Sequence, residues 1–239
     1  LGTNDKSVID KYIKEDKIEY YNTSDEINSK ITMDEIYPEE DLEKLFPHYD
    51  FYNKKGIDSE FLELLKSGLE TSGPMYQRFV FPIYNEHGQI HGYSGRDVSP
   101  NPKKEGYKER PKWKHQGKKS KWIYPFYVQK DFFSKEITKK DQVILVESIG
   151  DMLNLFQNGI KNVLVTFGLE IPPTLLCFLI GLKPSRIILS FNNDSSKKQN
   201  RGLNSCIKSY LKLIPYFNND SIKICIPNKN DFGEMTSDD

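Results

Sequence analysis

The sequence predicts an α/β protein, with an α+β amino-terminal region leading into a parallel sheet flanked by helices. Three observations carry that expectation. From Gln142 onward, short apolar runs alternate with helical stretches of about ten residues, the pattern of a helix-covered parallel sheet. Ahead of them, residues 77–84 and 89–93 read as two strands around the turn Asn85-Glu86-His87-Gly88. Two of the later strands, residues 143–147 and 186–191, run straight into acidic or amide residues.

Taken in order, residues 1–45 are polar, with Ile9, Tyr12 and Ile13 hinting at one short helix and Ile18, Tyr20 and Tyr21 at an extended piece. Residues 59–69 carry Phe61, Leu62, Leu64, Leu65 and Leu69 at helical spacing, with Gly68 near the end. The two strands follow. A basic segment comes next, which Pro100, Pro102 and Pro111 are expected to keep irregular. Then come a strand at 143–147, a helix at 150–157 closed by Asn158-Gly159, a strand at 162–166 and a helix at 172–182 opened by prolines. A strand at 186–191, a helix at 203–213 and a strand at 222–226 complete the series. The resulting division is 1–45, 46–139 and 140–239.

The chain has 239 residues, enough for one large or two smaller domains with a real core. No apolar run approaches the ~20 residues of a membrane span, so no membrane partner is expected. The start Leu1-Gly2-Thr3-Asn4-Asp5 has neither an initiator Met nor a signal pattern, and both ends read as cuts from a longer parent. Cys177, Cys206 and Cys225 lie far apart in apolar segments, which suits reduced core thiols and a cytoplasmic setting. No Cys-x-x-Cys pair occurs, and no zinc is expected in this chain.

Formal net charge is zero, with 34 basic and 34 acidic residues, but the charges are segregated. Asp34, Glu35, Glu39, Glu40, Asp41 and Glu43 make one stretch acidic. Between Arg96 and Lys121, Lys103, Lys104, Lys108, Arg110, Lys112, Lys114, Lys118 and Lys119 face only Asp97, Glu105 and Glu109. Such clustering is an electrostatic footprint for a polyanion, although many charge runs are simply solvated. Tyr107, Trp113 and Trp122 interleave with the cations and offer stacking faces.

In a parallel sheet, ligands gather at the carboxyl ends of the strands. Glu147 and Asp194 fall there, and so does Asp231 just past the last strand. Oxygen donors of this kind suit a hard divalent cation shared with phosphates, magnesium or manganese, and point to phosphoryl or nucleotidyl transfer. Asp151 has a simpler alternative role as an acid in the first turn of a helix.

These residues resemble the Toprim module of DnaG-type primases, topoisomerases and some nucleases. Glu147, with Asp151 four positions on, matches its first motif; Asn192-Asn193-Asp194 stands where an Asp-x-Asp is expected, with Asn192 in place of the first acid. Thr166-Phe167-Gly168 and Pro227-Asn-Lys-Asn-Asp231 resemble further elements of the module. Upstream, residues 49–57, Gly68-Leu69, Arg78-Phe-Val-Phe-Pro-Ile83, Gly88, Gly92, Gly95-Arg96, Pro111-Lys112-Trp113, Lys119 and Tyr124 resemble, in that order, the amino-terminal part of a primase catalytic core. The resemblance runs from about residue 47 to the end. Its Asn-Asn-Asp variant and loose basic segment look more like a viral member, acting in the cytoplasm of a bacterial host.

The resemblance implies a basic subdomain at 46–139, a Toprim metal-binding subdomain at 140–239, and synthesis of RNA primers from ribonucleoside triphosphates on single-stranded DNA. It makes Glu147, Asp151 and Asp194 catalytic, and Glu147, Asp194, Asn192 and Asp231 metal-holding. Arg78, Arg96, Lys112 and Lys119 would grip template or nucleotide phosphates, and a replicative helicase is the implied partner. Asn192 brings no negative charge, so it leaves weaker metal binding, an ion recruited with the triphosphate, or lost catalysis all open. A Toprim nuclease and a catalytically weakened nucleic-acid-binding module are the alternatives. A topoisomerase is disfavoured, because no tyrosine nucleophile setting stands out.

Overall fold

The computed structural model describes residues 35–100, 110–195 and 200–235. The hinted helix around Ile9, the extended piece around Tyr20, and Lys103, Lys104, Tyr107 and Lys108 of the basic run lie outside them.

Two sheets make up the described part. The first is a five-stranded antiparallel meander of β1 (Leu45–Phe46), β2 (Gly68–Glu70), β3 (Arg78–Tyr84), β4 (Ile90–Asp97) and β5 (Trp113–Gly117), paired in that order. Two short helices, α1 (Asp50–Asn53) and α2 (Ser59–Leu64), lie between β1 and β2. The second sheet is parallel and follows helix α3 (Lys130–Lys140). Its strands are β6 (Gln142–Val146), β7 (Val163–Val165), β8 (Arg186–Leu189) and β9 (Ile222–Ile224), in the spatial order β7-β6-β8-β9. Helices α4 (Ile149–Gln157), α5 (Pro173–Leu182) and α6 (Arg201–Leu213) connect them. Val143, Leu145, Val146, Leu164, Val165, Ile187 and Leu189 are fully buried, which is why these strands read as continuous apolar runs.

The chain leaves β6 toward β7 on one side and returns to β8 on the other. That reversal opens a crevice at the carboxyl ends of β6 and β8, the place where such sheets bind ligands. Residues 122–124 tie the two sheets together. Trp122 is buried against Phe167, ring centroids 4.8 Å apart, and the Val165 N–H donates to the Tyr124 carbonyl at 2.9 Å. Gly92 makes room for that indole, since a Cβ there would lie 2.5 Å from Cζ2 of Trp122.

Three local expectations need correction. The helix expected over 59–69 stops at Leu64, because Lys66 turns to φ 52° and Gly68 enters β2. A Cβ on Gly68 would sit 2.9 Å from the Phe46 carbonyl, so only glycine lets β1 approach. The basic segment is not irregular throughout: Trp113–Gly117 pairs with β4 across a full register. Polar α3 was also missed, since Phe133 and Ile137 are its only buried residues. Of the three cysteines, Cys206 alone is buried; Cys177 and Cys225 are exposed.

Candidate active site

Strand β6 delivers Glu147 to the crevice, and the chain turns at once into α4. Ser148 is the N-cap, in extended conformation, and forms a capping box with Asp151. Asp151 Oδ2 accepts from the Ser148 hydroxyl at 2.7 Å and from its N–H at 3.2 Å, while Oδ1 accepts from the Phe232 N–H at 3.2 Å. Asp151 is therefore buried and tied to the segment after β9. Burial pushes its pKa up to about 6; the Ser148 and Phe232 bonds work against that shift, and nearby Asp231 adds to it. The helix-terminal role is the one this geometry displays for Asp151.

The second strand end is built differently. After β8, Asn193 holds the loop: its N–H donates to the Asn230 carbonyl at 2.7 Å and its Nδ2 to the Pro227 carbonyl at 3.0 Å. Its Oδ1 accepts from Asn200 Nδ2 at 2.9 Å. Asn200 in turn caps α6, its Oδ1 accepting from the Leu203 N–H at 3.1 Å and from the Asp194 N–H at 3.0 Å. The first turn of α6 presses directly on Asn192. A Cβ on Gly202 would lie 1.7 Å from the Asn192 carbonyl oxygen, so no other residue fits there. Asp194 is buried and Asn192 half-buried.

Facing these ends is the β4–β5 pair. Because opposed residues in an antiparallel pair share a face, it presents three rows: Arg96 with Trp113, Ser94 with His115, and Gly92 with Gly117. The outer row lines a cleft of about 240 Å³. Lys55, Arg96 and Lys112 stand on one wall, and Ser148, Asp151 and Asp231 on the other. Arg96 donates to the Lys112 carbonyl at 3.2 Å, and its guanidinium lies 5.6 Å from the Phe51 ring centre. Burial, then Arg96 and Lys112, lower the Lys55 pKa, with Asp231 opposing. A second cavity, of about 170 Å³, holds Glu147 and adjoins the cleft through Ser148 and Trp113. Thr166, just before the Phe167-Gly168 turn that lines it, is tied in place: its hydroxyl lies 3.1 Å from the Val146 carbonyl and 2.6 Å from the Gly168 carbonyl.

Two expected phosphate contacts stand elsewhere. Arg78 is 3 % exposed, and its Nη1 donates to the carbonyls of Gly95 at 3.2 Å and Pro111 at 3.0 Å. Its register partner Asp97 supplies the balancing charge and also pairs with Arg110 at 3.1 Å. A guanidinium enclosed in this way braces the sheet and is not offered to a phosphate. Lys119 donates to the Phe167 carbonyl at 3.0 Å, fastening the basic segment to the turn after β7. Arg96 and Lys112 remain on the cleft. Sequence reading missed Lys55, Ser148, Asn193 and Asn200, although an Asn before an apolar-periodic run is a helix-start signal.

Among the described residues, no three His, Cys, Asp or Glu side chains converge closely enough to hold a metal ion by themselves. In kind, the carboxylate and amide oxygens at the strand ends do suit a hard divalent cation, which commonly completes its shell with water and substrate phosphate.

An acidic carboxyl edge of a parallel sheet set against an antiparallel sheet that carries Arg96 defines a class, the two-sheet α/β cores. The relatives place the chain more closely. It is 33 % identical over 202 residues to a DNA primase of Borreliella burgdorferi, covering 80 % of this chain and 34 % of that protein. To a DNA primase of Staphylococcus aureus it is 33 % identical over 153 residues, covering 61 % of this chain and 24 % of the relative. Among solved structures, a DnaG catalytic core matches with a TM-score of 0.61 at 15 % identity, over 78 % of this chain and 67 % of the other. A DnaG primase catalytic domain bound to single-stranded DNA matches with a TM-score of 0.61 at 15 % identity, over 79 % and 66 %. No protein-family model matches the chain. The chain is thus a homologue of bacterial DNA primases that spans about a third or less of those relatives' length, and its fold is that of the DnaG catalytic core.

Proposed function

We propose that the chain is a primase catalytic core, joining ribonucleoside triphosphates into short RNA primers on a single-stranded DNA template. The observation that carries this reading is the cleft between the sheets, with cations on one wall and carboxylates on the other. A nucleotide's phosphates are held by the first wall and brought to the second.

In this reading Glu147 is the central catalytic residue, placed by β6 at the mouth of the crevice. Asp194, Asn192 and Asp231 join it as oxygen donors for a divalent cation, magnesium or manganese. When bound, such an ion lowers the pKa of the attacking 3′-hydroxyl and neutralises the departing pyrophosphate. Asp151 supports the site by fixing the α4 terminus and the Asp231 segment. Arg96 and Lys112 hold phosphate oxygens, with Arg suited to two-pronged contact and Lys to point charge. Lys55 joins them from α1's carboxyl side. Lys119 keeps the Phe167 turn against the cavity of Glu147. The work divides between 46–139, which grips polyanion, and 140–239, which carries the acids. On this reading the partners are template, ribonucleotides and a replicative helicase, in the cytoplasm.

The test is a priming assay with single-stranded template, magnesium or manganese, and labelled ribonucleoside triphosphates. Labelled products that grow from ribonucleotides are the expected result. Cleavage of the template without product growth would assign the site to a nuclease, and binding with neither activity would leave a nucleic-acid-binding module.

A further inference from the structure

The middle row of the β4–β5 face has no place in the mechanism above, yet it is built as a site. Ser94 and His115 are direct cross-strand partners. Ser94 is fully buried and its hydroxyl has no hydrogen-bond partner; Nδ1 of His115 is buried and equally unpartnered. Both line the cavity that contains Glu147, between Trp113, Phe167 and Gly168. A buried hydroxyl and a ring nitrogen without partners are costly. Two of them side by side, facing one cavity, call for a ligand that can both donate and accept.

The chemistry narrows that ligand. No cation lines this cavity and Glu147 does, so a phosphate is disfavoured here. The imidazole is neutral at physiological pH: burial, with Lys119 and Arg78 adding to it, lowers its pKa to about 4. A neutral hydroxyl, a neutral imidazole and two aromatic walls match a sugar, with hydroxyls for the polar pair and C–H faces for the rings. Position agrees. The cavity adjoins the cationic cleft through Trp113 and Ser148, as the ribose of a nucleotide adjoins its phosphates.

Resting on the nucleotide-joining function proposed above, we infer that Ser94 and His115 form the ribose pocket for the nucleotide that reacts at Glu147, and that they set its preference for ribonucleotides over deoxyribonucleotides. A site made to bond a hydroxyl rejects the analogue lacking it, because its own polar groups are then left unpaired.

Binding measured by titration calorimetry, with ATP and 2′-deoxyATP in magnesium buffer, tests this without relying on turnover. The wild-type chain should favour ATP by about tenfold or more, the worth of one well-made hydrogen bond to a buried group. Ser94→Ala and His115→Phe should each weaken ATP by about that factor and alter 2′-deoxyATP little, bringing the ratio near one. The variants suit the purpose. Alanine removes a hydroxyl that bonds nothing, so thermal stability should hold or rise. Phenylalanine keeps the edge contacts with Trp122 and Phe167, at 5.7 and 5.9 Å. CTP, GTP and UTP should bind like ATP, since the pocket reads the sugar. An unchanged ATP preference in both variants, equal wild-type affinity for the two sugars, or a preference among bases would overturn the inference while leaving the priming function intact. Failure of the wild-type chain to bind any nucleotide would instead overturn the priming function, and the ribose pocket with it.

Discussion

Strands β6 and β8 lie side by side and both end in the crevice, yet they hold their polar residues by different means. After β6 the hand-over is immediate: Glu147 ends the run, Ser148 caps α4, and Asp151 closes the capping box three residues on. After β8, Asn193 donates hydrogen bonds to the carbonyls of Pro227 and Asn230, and Asn200 then caps α6. The first end is capped locally, and its distant tie is the Phe232 N–H to Asp151. The second borrows its rigidity from a segment more than thirty residues away, and from a glycine that lets a helix touch its backbone. Function placed on the first end tolerates change elsewhere; function placed on the second does not.

The sharpest way to break this contrast is at Gly202. Gly202→Ala should cost about 3 kcal/mol or more, as overpacking against backbone does, and should weaken nucleotide binding along with thermal stability. Next is Asn193→Ala, which strips the hub of the loop and should cost about 2 kcal/mol in denaturant unfolding. The matching change at the first end, Ser148→Ala, should cost only about 1 kcal/mol, the ordinary worth of an N-cap. Equal losses for Asn193→Ala and Ser148→Ala would remove the contrast.

Acid gives the smallest net effect, because two buried groups beside the crevice, His115 and Asp151, shift in opposite senses. His115 has a folded pKa of about 4 against an ordinary 6.5, so the unfolded chain binds its proton first. Its contribution to stability is complete above pH 6.5 and is lost as pH falls toward 4. Asp151 works the other way, since its folded pKa of about 6 lets the native chain bind that proton first as pH falls toward 3.8. The expected record is a midpoint of urea unfolding that declines, below pH 6.5, less in His115→Phe than in the wild-type chain.

The same difference explains what could be read from the sequence. Glu147 and Asp151 were legible because strand, cap and acid lie within nine residues and obey local rules. The parallel strands were legible because burial on both faces writes them as unbroken apolar runs. Asn193 and Gly202 were not, since nothing local separates a loop hub from any polar turn residue; Asn200 carried a helix-start signal, but not its bond to the Asp194 N–H. Arg78 misled for a related reason: an arginine in a basic, glycine-rich neighbourhood suggests phosphate, and only the register with Asp97 shows it turned inward. The Ser94–His115 pair needed that register too, because it exists only once β4 and β5 are aligned.

Glu147→Gln is the most direct test of the whole account. It keeps side-chain shape and removes the one charge that β6 carries into the crevice. Primer synthesis should fall by about a hundredfold or more, as when one preorganised charge is removed from a reacting centre, while thermal stability and single-stranded DNA binding stay near wild type. Primer synthesis at the wild-type rate would contradict the assignment of this strand end as the reacting centre.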